Sequence, residues 1–197
     1  MTWKKTFAGV FLSRLSIAVL ILIGGFTLPA WGQERFQTRY ARVVANSAAD
    51  LLEMERRLHF STPIPASQPR VTGEFAFHPA FPRLAAKIDA ILVRTSRLLN
   101  LRPSRRSRLN IVLVANGKEV QRRHLVLVPG QRRGLFGYGS LEAFYESYSR
   151  TIYISLRDLH EGILAHEMAH YLFCTVVSPR PPSRVQETWA HYVESRM

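Results

Sequence analysis

Residues 166–170 read His166-Glu167-Met168-Ala169-His170, and the rest of the chain is interpreted from this stretch. Two histidines four residues apart lie one above the other on a helix, because four residues nearly complete a turn. The pattern H-E-x-x-H is typical of helices that hold zinc through both imidazoles and place the carboxylate as general base toward a metal-bound water. A catalytic zinc takes about three protein ligands, so a third must come from outside this stretch.

The residues around the motif predict a helix with one buried side. Apolar residues recur every four positions, as expected for a side that faces a core: Leu164, Met168 and Leu172. Asp158, with Glu161 three residues further on, predicts the N-terminal cap of this helix. The prolines after Ser178 cannot continue a helix, so we predict that it ends near Cys174. The two histidines and Glu167 fall on a different side from the apolar residues.

A second helix is predicted after these prolines, opened by the capping pattern Ser183-Arg184-Val185-Gln186. Three apolar side chains share one of its faces, and three polar ones share the opposite face: Val185, Trp189 and Tyr192 against Glu187, His191 and Glu194. Glu187 follows His170 by 17 positions, which lets the two helices pack side by side. We interpret Glu187 as the third zinc ligand, with Glu194 as the alternative.

The H-E-x-x-H motif and the carboxylates of the second helix each have a simpler explanation. H-E-x-x-H also occurs by chance on solvated helices, and Glu194 can equally be a solvated carboxylate. A carboxylate delivered at this spacing by a capped second helix favours metal binding over chance.

The pair of segments resembles the gluzincin metallopeptidases, the peptidase-MA-like branch of the zincin fold. In that family the segment after the motif typically reads Glu-Gly-x-Ala-x-Tyr. Here Glu187-Thr188-Trp189-Ala190-His191-Tyr192 keeps the Glu, Ala and Tyr positions and has Thr188 in place of Gly. The resemblance, which covers the last third of the chain well, implies one zinc ion per chain at His166, His170 and Glu187, with Glu167 as the general base of peptide-bond hydrolysis.

Three further expectations follow from this resemblance. In several members an acidic or amide side chain, four residues after the third ligand, orients a ligand histidine; that position is His191 here. An edge strand before the motif helix binds extended peptide in zincins, a part that residues 151–155 would play in this chain, with an ordinary sheet strand as the alternative. The family also uses a second group to stabilise the oxyanion, for which the sequence leaves four candidates: Tyr138, Tyr145, Tyr153 and His191.

Hydrophobic patterns elsewhere predict an α+β fold, a small twisted mixed sheet with the motif helix beneath it, and the resemblance implies that this fold is zincin-like. The apolar run Leu109–Val114 predicts a central strand, and residues 143–145 and 150–155 predict a strand hairpin. Helices are predicted from Ser47 and from Pro82 to about Asn100. Asn116-Gly117 predicts a turn, residues 118–128 are ambiguous between helix and strand, and 129–139 form a glycine-rich loop.

Residues 1–32 have the composition of a targeting segment. A basic front precedes an apolar run from Leu15 to Leu28, and Ala30-Trp31-Gly32 provides the small residues that a signal peptidase reads. We therefore predict a cleaved signal peptide over residues 1–32 and a single domain over 33–197. The alternative is an uncleaved membrane anchor through residues 15–30. Either way, the domain is expected to be exported, and thus periplasmic or secreted.

The chain is strongly basic, with a net charge of +13 and a pI near 10.8. Such a charge attracts anionic partners, which for an exported chain means an anionic envelope surface. The alternative is that these are solvated loop charges without a dedicated partner. We expect no nucleic-acid partner, because aromatic residues do not alternate with the basic clusters. Cys174 is the only cysteine, so the metal ligands must be histidine and carboxylate.

Together these observations predict an exported zinc-dependent metallopeptidase that acts on peptide or protein substrates, with Glu167 as general base. One alternative is a catalytically weak zincin-fold module with a binding or structural role at the cell envelope. The other is a basic envelope-associated protein in which the H-E-x-x-H pattern is accidental. The sequence leaves the substrate and the oligomeric state open.

Overall fold

The computed structural model describes residues 33–59, 81–104, 107–128 and 141–197. In these ranges the chain forms ten elements: β1 Glu34–Gln37, β2 Ala41–Ala45, α1 Ala48–Arg57, α2 Pro82–Leu98, β3 Leu109–Val114, α3 Gly117–Leu127, β4 Ala143–Glu146, β5 Thr151–Ser155, α4 Glu161–Val176 and α5 Ser183–Glu194. The predicted α+β class is confirmed. The predicted signal peptide over 1–32 and the glycine-rich loop over 129–139 lie outside the described residues.

The five strands form one mixed sheet in the order β1-β2-β3-β5-β4. Its two outer pairs, β1 with β2 and β4 with β5, are antiparallel, whereas β2–β3 and β3–β5 are parallel. The predicted central strand is therefore confirmed, since β3 has a parallel neighbour on each side. Residues 118–128, which the sequence left ambiguous, are mostly helical. Asn116 and Gly117 begin α3 rather than forming a turn, because the Asn116 side chain accepts the Glu119 N–H at 3.2 Å.

The main core lies between one face of the sheet and the helices α1, α2 and α4. The sheet contributes alternate residues of β3 and β5, all buried: Leu109, Ile111, Leu113, Ile152 and Ile154. From α4 come Leu164, Met168 and Leu172, as the four-residue spacing predicted. Burying each such side chain contributes about 1.5–3 kcal/mol, so this packing fixes α4 beneath the sheet. A smaller cluster of Val114, Val120 and Phe144 joins α3 to the opposite face.

The prediction that residues 151–155 form the edge strand was wrong. Strand β5 lies inside the sheet between β3 and β4, and the edge on this side is β4. The hairpin between β4 and β5 was predicted correctly, but β5 pairs with β3 on its other side. The earlier strand of the hairpin is therefore the outer one, and it packs against α4.

The predicted N-terminal caps of the last two helices were also wrong. The Asp158 carboxylate accepts the Ser155 hydroxyl at 2.6 Å, in the turn after β5, so it does not cap the helix. His160 caps α4 instead, because its Nδ1 accepts the Ile163 N–H at 3.3 Å. In α5, Ser183 is already helical and Pro182 precedes it without a side-chain hydrogen bond. Helix α4 ends at Val176, two residues beyond the predicted end.

The apolar residues predicted to share one face of α5 are exposed. The buried side of this helix consists of Gln186, Ala190 and Val193, which are mostly small. Small residues let α5 lie close against α4, and the larger apolar side chains remain outside the core. Among the described residues, no helix is long and apolar enough to cross a membrane.

Candidate metal centre

Helix α4 brings its two motif histidines together. The Nε2 atoms of His166 and His170 lie 3.3 Å apart, and the rings meet at 61° with centroids separated by 5.1 Å. Both side chains are largely buried. Burial lowers the pKa of His170, against the opposing effect of the Glu187 charge, and thereby favours the neutral imidazole. A neutral ring presents the lone pair that a metal ion needs.

Helix α5 supplies the third member of this group. Glu187 places one oxygen 3.5 Å from His166 Nε2 and its other oxygen 3.5 Å from His170 Nε2. The connection to α5 is held by Gln186, whose buried amide donates to the Pro181 carbonyl at 2.6 Å. The three predicted ligands therefore lie together on α4 and the following helix, as the sequence predicted.

The geometry of this group fits a zinc ion. With zinc–ligand bonds of about 2.0–2.1 Å and tetrahedral angles, two ligand atoms lie about 3.3 Å apart. The two Nε2 atoms lie 3.3 Å apart, and each lies 3.5 Å from a different oxygen of Glu187, which is close to this separation. Two imidazoles and one carboxylate are also the donor set of many catalytic zinc sites. We refer to these three residues as the metal cluster.

Glu194 binds the opposite nitrogen of His166. Its Oε2 lies 3.0 Å from His166 Nδ1 and 3.3 Å from His191 Nδ1. With a proton on Nδ1, His166 donates to this carboxylate and turns its Nε2 lone pair toward the metal cluster. The sequence named Glu194 as the alternative metal ligand. In the structure it lies where it would instead orient the ring of His166. His191, Glu194 and His166 are also close enough together to hold a metal, but that arrangement would require the Nδ1 that this hydrogen bond uses.

In the sequence, the position that orients a ligand histidine in the family is occupied by His191, and no orienting role was predicted for Glu194. The signal was present, because Glu194 follows Glu187 by seven residues, which is two helical turns, and therefore shares its face. His191 also lies at the cluster, with its ring 4.8 Å from the His166 ring at 70°. It touches the cluster from the solvent side, since its side chain is largely exposed.

Glu167 is buried beside the cluster, with 7% of its surface exposed. Its carboxylate accepts the backbone N–H of Tyr145 in the edge strand β4. The pKa of Glu167 is raised to about 8, first by burial and then by the charge of Glu187, while the Tyr145 hydrogen bond opposes both. A nearby cation favours the ionised carboxylate, so a bound metal would lower this pKa toward the range of a general base.

The structure separates the four candidates for oxyanion stabilisation. Tyr145 faces the core, with its ring 6.1 Å from that of Tyr171. Tyr153 lies on the opposite face of the sheet, stacked on Phe144 at 5.0 Å. Tyr138 is outside the described residues. Of the candidates that the structure describes, only His191 is brought to the metal cluster.

The metal-free chain should lose stability as the pH rises from about 4.5 to about 8. Because burial raises the pKa of Glu167 to about 8, the folded chain keeps a proton in this range that the unfolded chain has released. The free energy of unfolding therefore falls with rising pH. Urea unfolding at pH 5 and pH 8 tests this, with Glu167→Gln as comparison. The native chain should lose more stability than the variant, and an equal loss in both would contradict the assignment.

Replacing Glu194 with alanine should weaken zinc binding by about 10- to 100-fold, as loss of a carboxylate that orients a histidine ligand does in other sites. The chain should stay folded, because Glu194 contributes no part of the core. Competition with a chromophoric chelator measures the affinity. His191→Ala is the matched control, since it removes the other imidazole that Glu194 contacts. Unchanged affinity in Glu194→Ala would mean that this carboxylate does not support the site.

No protein-family model, curated protein or solved structure matches the chain. The chemistry of the metal cluster and its surroundings is therefore the basis for any functional conclusion.

Proposed function

We propose that this chain is an exported zinc-dependent peptidase of the gluzincin type. The observation that carries the proposal is the metal cluster itself: two imidazole nitrogens 3.3 Å apart, each 3.5 Å from one oxygen of the Glu187 carboxylate, on two adjacent helices and beside a buried carboxylate. Both the order of these residues and the placement of Glu167 directly after His166 agree with the resemblance drawn from the sequence. The zincin-like fold and the exported location are parts of the same proposal.

His166, His170 and Glu187 would hold one zinc ion. When bound there, zinc lowers the pKa of a coordinated water and polarises a substrate carbonyl. Glu194 keeps the His166 ring in the orientation that this binding needs, through its 3.0 Å contact with Nδ1. Glu187 is the most exposed of the three ligands, so the fourth position would open toward solvent on the side of α5.

Glu167 is the proposed general base. It would take a proton from the attacking water and pass it to the leaving amine. The Tyr145 N–H restrains the orientation of the carboxylate, which lowers the entropy that this group loses when it reacts. Because the group is almost fully buried, bulk water does not compete for this proton.

Strand β4 would bind the substrate. It is the edge of the sheet that packs against α4, and its residue Tyr145 is hydrogen-bonded to Glu167, so a peptide along this edge would lie beside the metal cluster. An extended peptide can add to such an edge through backbone hydrogen bonds, with little dependence on its sequence. Peptide binding, expected from the sequence at residues 151–155, is thus proposed at β4 instead.

A second candidate function is a metal-binding module with little or no turnover. One observation favours it: Tyr145 and Tyr153 point away from the metal cluster, which leaves His191 as the described candidate for oxyanion stabilisation. Such a module would bind zinc and an extended peptide segment without cleaving it. Its partner, like that of the peptidase, would be found at the cell envelope.

Removal of zinc should abolish peptide cleavage, and its return should restore it. The test is to incubate the zinc-loaded chain with an unstructured polypeptide such as casein, before and after chelation, and to follow new amino termini. A Glu187→Ala chain prepared in the same way controls for contaminating proteases. Stoichiometric zinc without cleavage would favour the non-catalytic module, whereas cleavage unaffected by chelation would contradict the proposal.

A further inference from the structure

Helix α5 carries an exposed apolar stripe that the metal cluster does not use. Val185, Trp189 and Tyr192 expose 43, 45 and 39% of their surface, and Arg196 lies beyond the end of the helix on the same side. These four residues, which we call the α5 stripe, follow one another at intervals of four, three and four positions. This spacing places them in one row along the helix.

The α5 stripe faces away from the metal cluster. At 100° per residue, its centre lies about 150° around the helix from Glu187, Glu194 and His191. The buried residues Gln186, Ala190 and Val193 lie between the two. A surface that covered the stripe would therefore leave the metal side of α5 open to water.

The chemistry of the stripe is that of an interfacial surface. The Trp189 and Tyr192 rings meet edge to face at 5.6 Å, and the Arg196 guanidinium lies 5.6 Å from the centre of the Tyr192 ring. Tryptophan and tyrosine have an apolar body and a polar tip, so both favour the boundary between lipid and water. The two acidic residues of α5 point to the metal side, and the stripe carries only positive charge.

We propose that the α5 stripe docks on an anionic lipid surface. The net charge of +13 attracts such a surface, whereas two copies of the chain repel each other. The stripe also exposes only on the order of 250 Å² of side-chain surface. A stable dimer needs about 800 Å² from each partner, but shallow insertion of a few aromatic side chains with basic neighbours suffices for interfacial lipid binding. This inference does not depend on hydrolysis at the metal cluster.

Docking in this way would orient the domain. The stripe would enter the headgroup region, and Glu187 and His191 would point toward water. A substrate would then approach from the aqueous phase rather than from within the lipid. This orientation extends the expectation of an anionic envelope surface to a specific face of the molecule.

The tryptophan in the stripe reports directly on the contact. The chain contains three tryptophans, Trp3, Trp31 and Trp189. A full-length chain with Trp3→Phe and Trp31→Phe would therefore fluoresce from the stripe alone, whatever residues 1–32 do. The probe is a vesicle of phosphatidylglycerol and phosphatidylcholine, compared with phosphatidylcholine alone. On the anionic vesicles, Trp189 emission should shift to shorter wavelength and be quenched by brominated lipid.

Two variants of this chain complete the test. Val185→Ser with Tyr192→Ser should raise the lipid concentration for half-maximal quenching at least about tenfold. Tyr148→Ser removes an aromatic residue of the β4–β5 turn that is 97% exposed, and should change nothing. If, on anionic vesicles, Trp189 kept the emission wavelength that it has in water and was still quenched by iodide, the proposal would be overturned. A shift of the Trp189 emission that depends on protein concentration in the absence of lipid would also overturn the proposal, because it would indicate a contact between copies of the chain.

Discussion

Glu187→Ala is expected to weaken zinc binding by roughly 100- to 1,000-fold. The metal cluster offers three candidate ligands, and its carboxylate lies 3.5 Å from each of the two imidazoles. Its loss removes one of three strong bonds and the only negative charge among them. Zinc content after extensive dialysis, followed by chelator competition, measures the change.

The control for Glu187→Ala is Thr188→Ala at the next position of α5. Thr188 is exposed, and its hydroxyl donates only to the Arg184 carbonyl one turn earlier. Its loss should leave the zinc affinity unchanged, while any general damage to α5 would affect both variants. If Glu187→Ala kept native affinity, the third ligand would have to be another residue, and Glu194 would be tested next.

Most elements of this fold could be predicted because their signals are local. The apolar run of β3 and the four-residue spacing of α4 each depend on a few neighbouring residues, and both predictions were confirmed. The position of β5 within the sheet could not be found in this way. Whether a strand is central or at the edge depends on which strands pair with it, and β3 lies some forty residues earlier in the chain.

The errors at the helix termini have a different cause, which is competition between nearby groups. Asp158 has the side chain of a good cap, but it lies two residues before the cap position, and its carboxylate accepts the Ser155 hydroxyl at 2.6 Å. His160 then caps α4, although imidazole is not among the preferred cap residues. Sequence patterns indicate which residue types can cap a helix. Which residue does so depends on the positions of the neighbouring groups in the folded chain.

In the candidate site, the sequence predicted the ligand set but not the roles around it. His166, His170 and Glu187 follow from a helical motif and a spacing. The choice between Glu187 and Glu194 depends on how α4 and α5 are placed against each other, which no local pattern contains. The two carboxylates reach different nitrogens of the same ring, Glu187 beside Nε2 and Glu194 beside Nδ1. Likewise, α5 buries the flank that carries Gln186, Ala190 and Val193, which leaves Trp189 exposed.

Glu167→Gln is expected to lower peptide cleavage by about 100- to 10,000-fold while leaving zinc in place. Glutamine keeps the volume of the side chain in a site with little free surface, and its carbonyl oxygen can still accept the Tyr145 N–H. What it cannot do at neutral pH is accept a proton from water. The measurement is the cleavage rate at saturating zinc, together with the zinc content of the same sample.

The combination of these two results is what distinguishes a general base from a ligand or a structural residue. A ligand would lose metal and activity together, as expected for Glu187→Ala. Replacing a structural residue would lower the stability of the chain. Glu167→Gln should not do so, because it removes a buried carboxyl group whose ionisation is costly without metal, as its pKa of about 8 indicates. Glu161→Gln, in the first turn of the same helix, should keep both zinc and activity. Full activity in Glu167→Gln would therefore exclude Glu167 as the base, even if the metal cluster holds zinc as proposed.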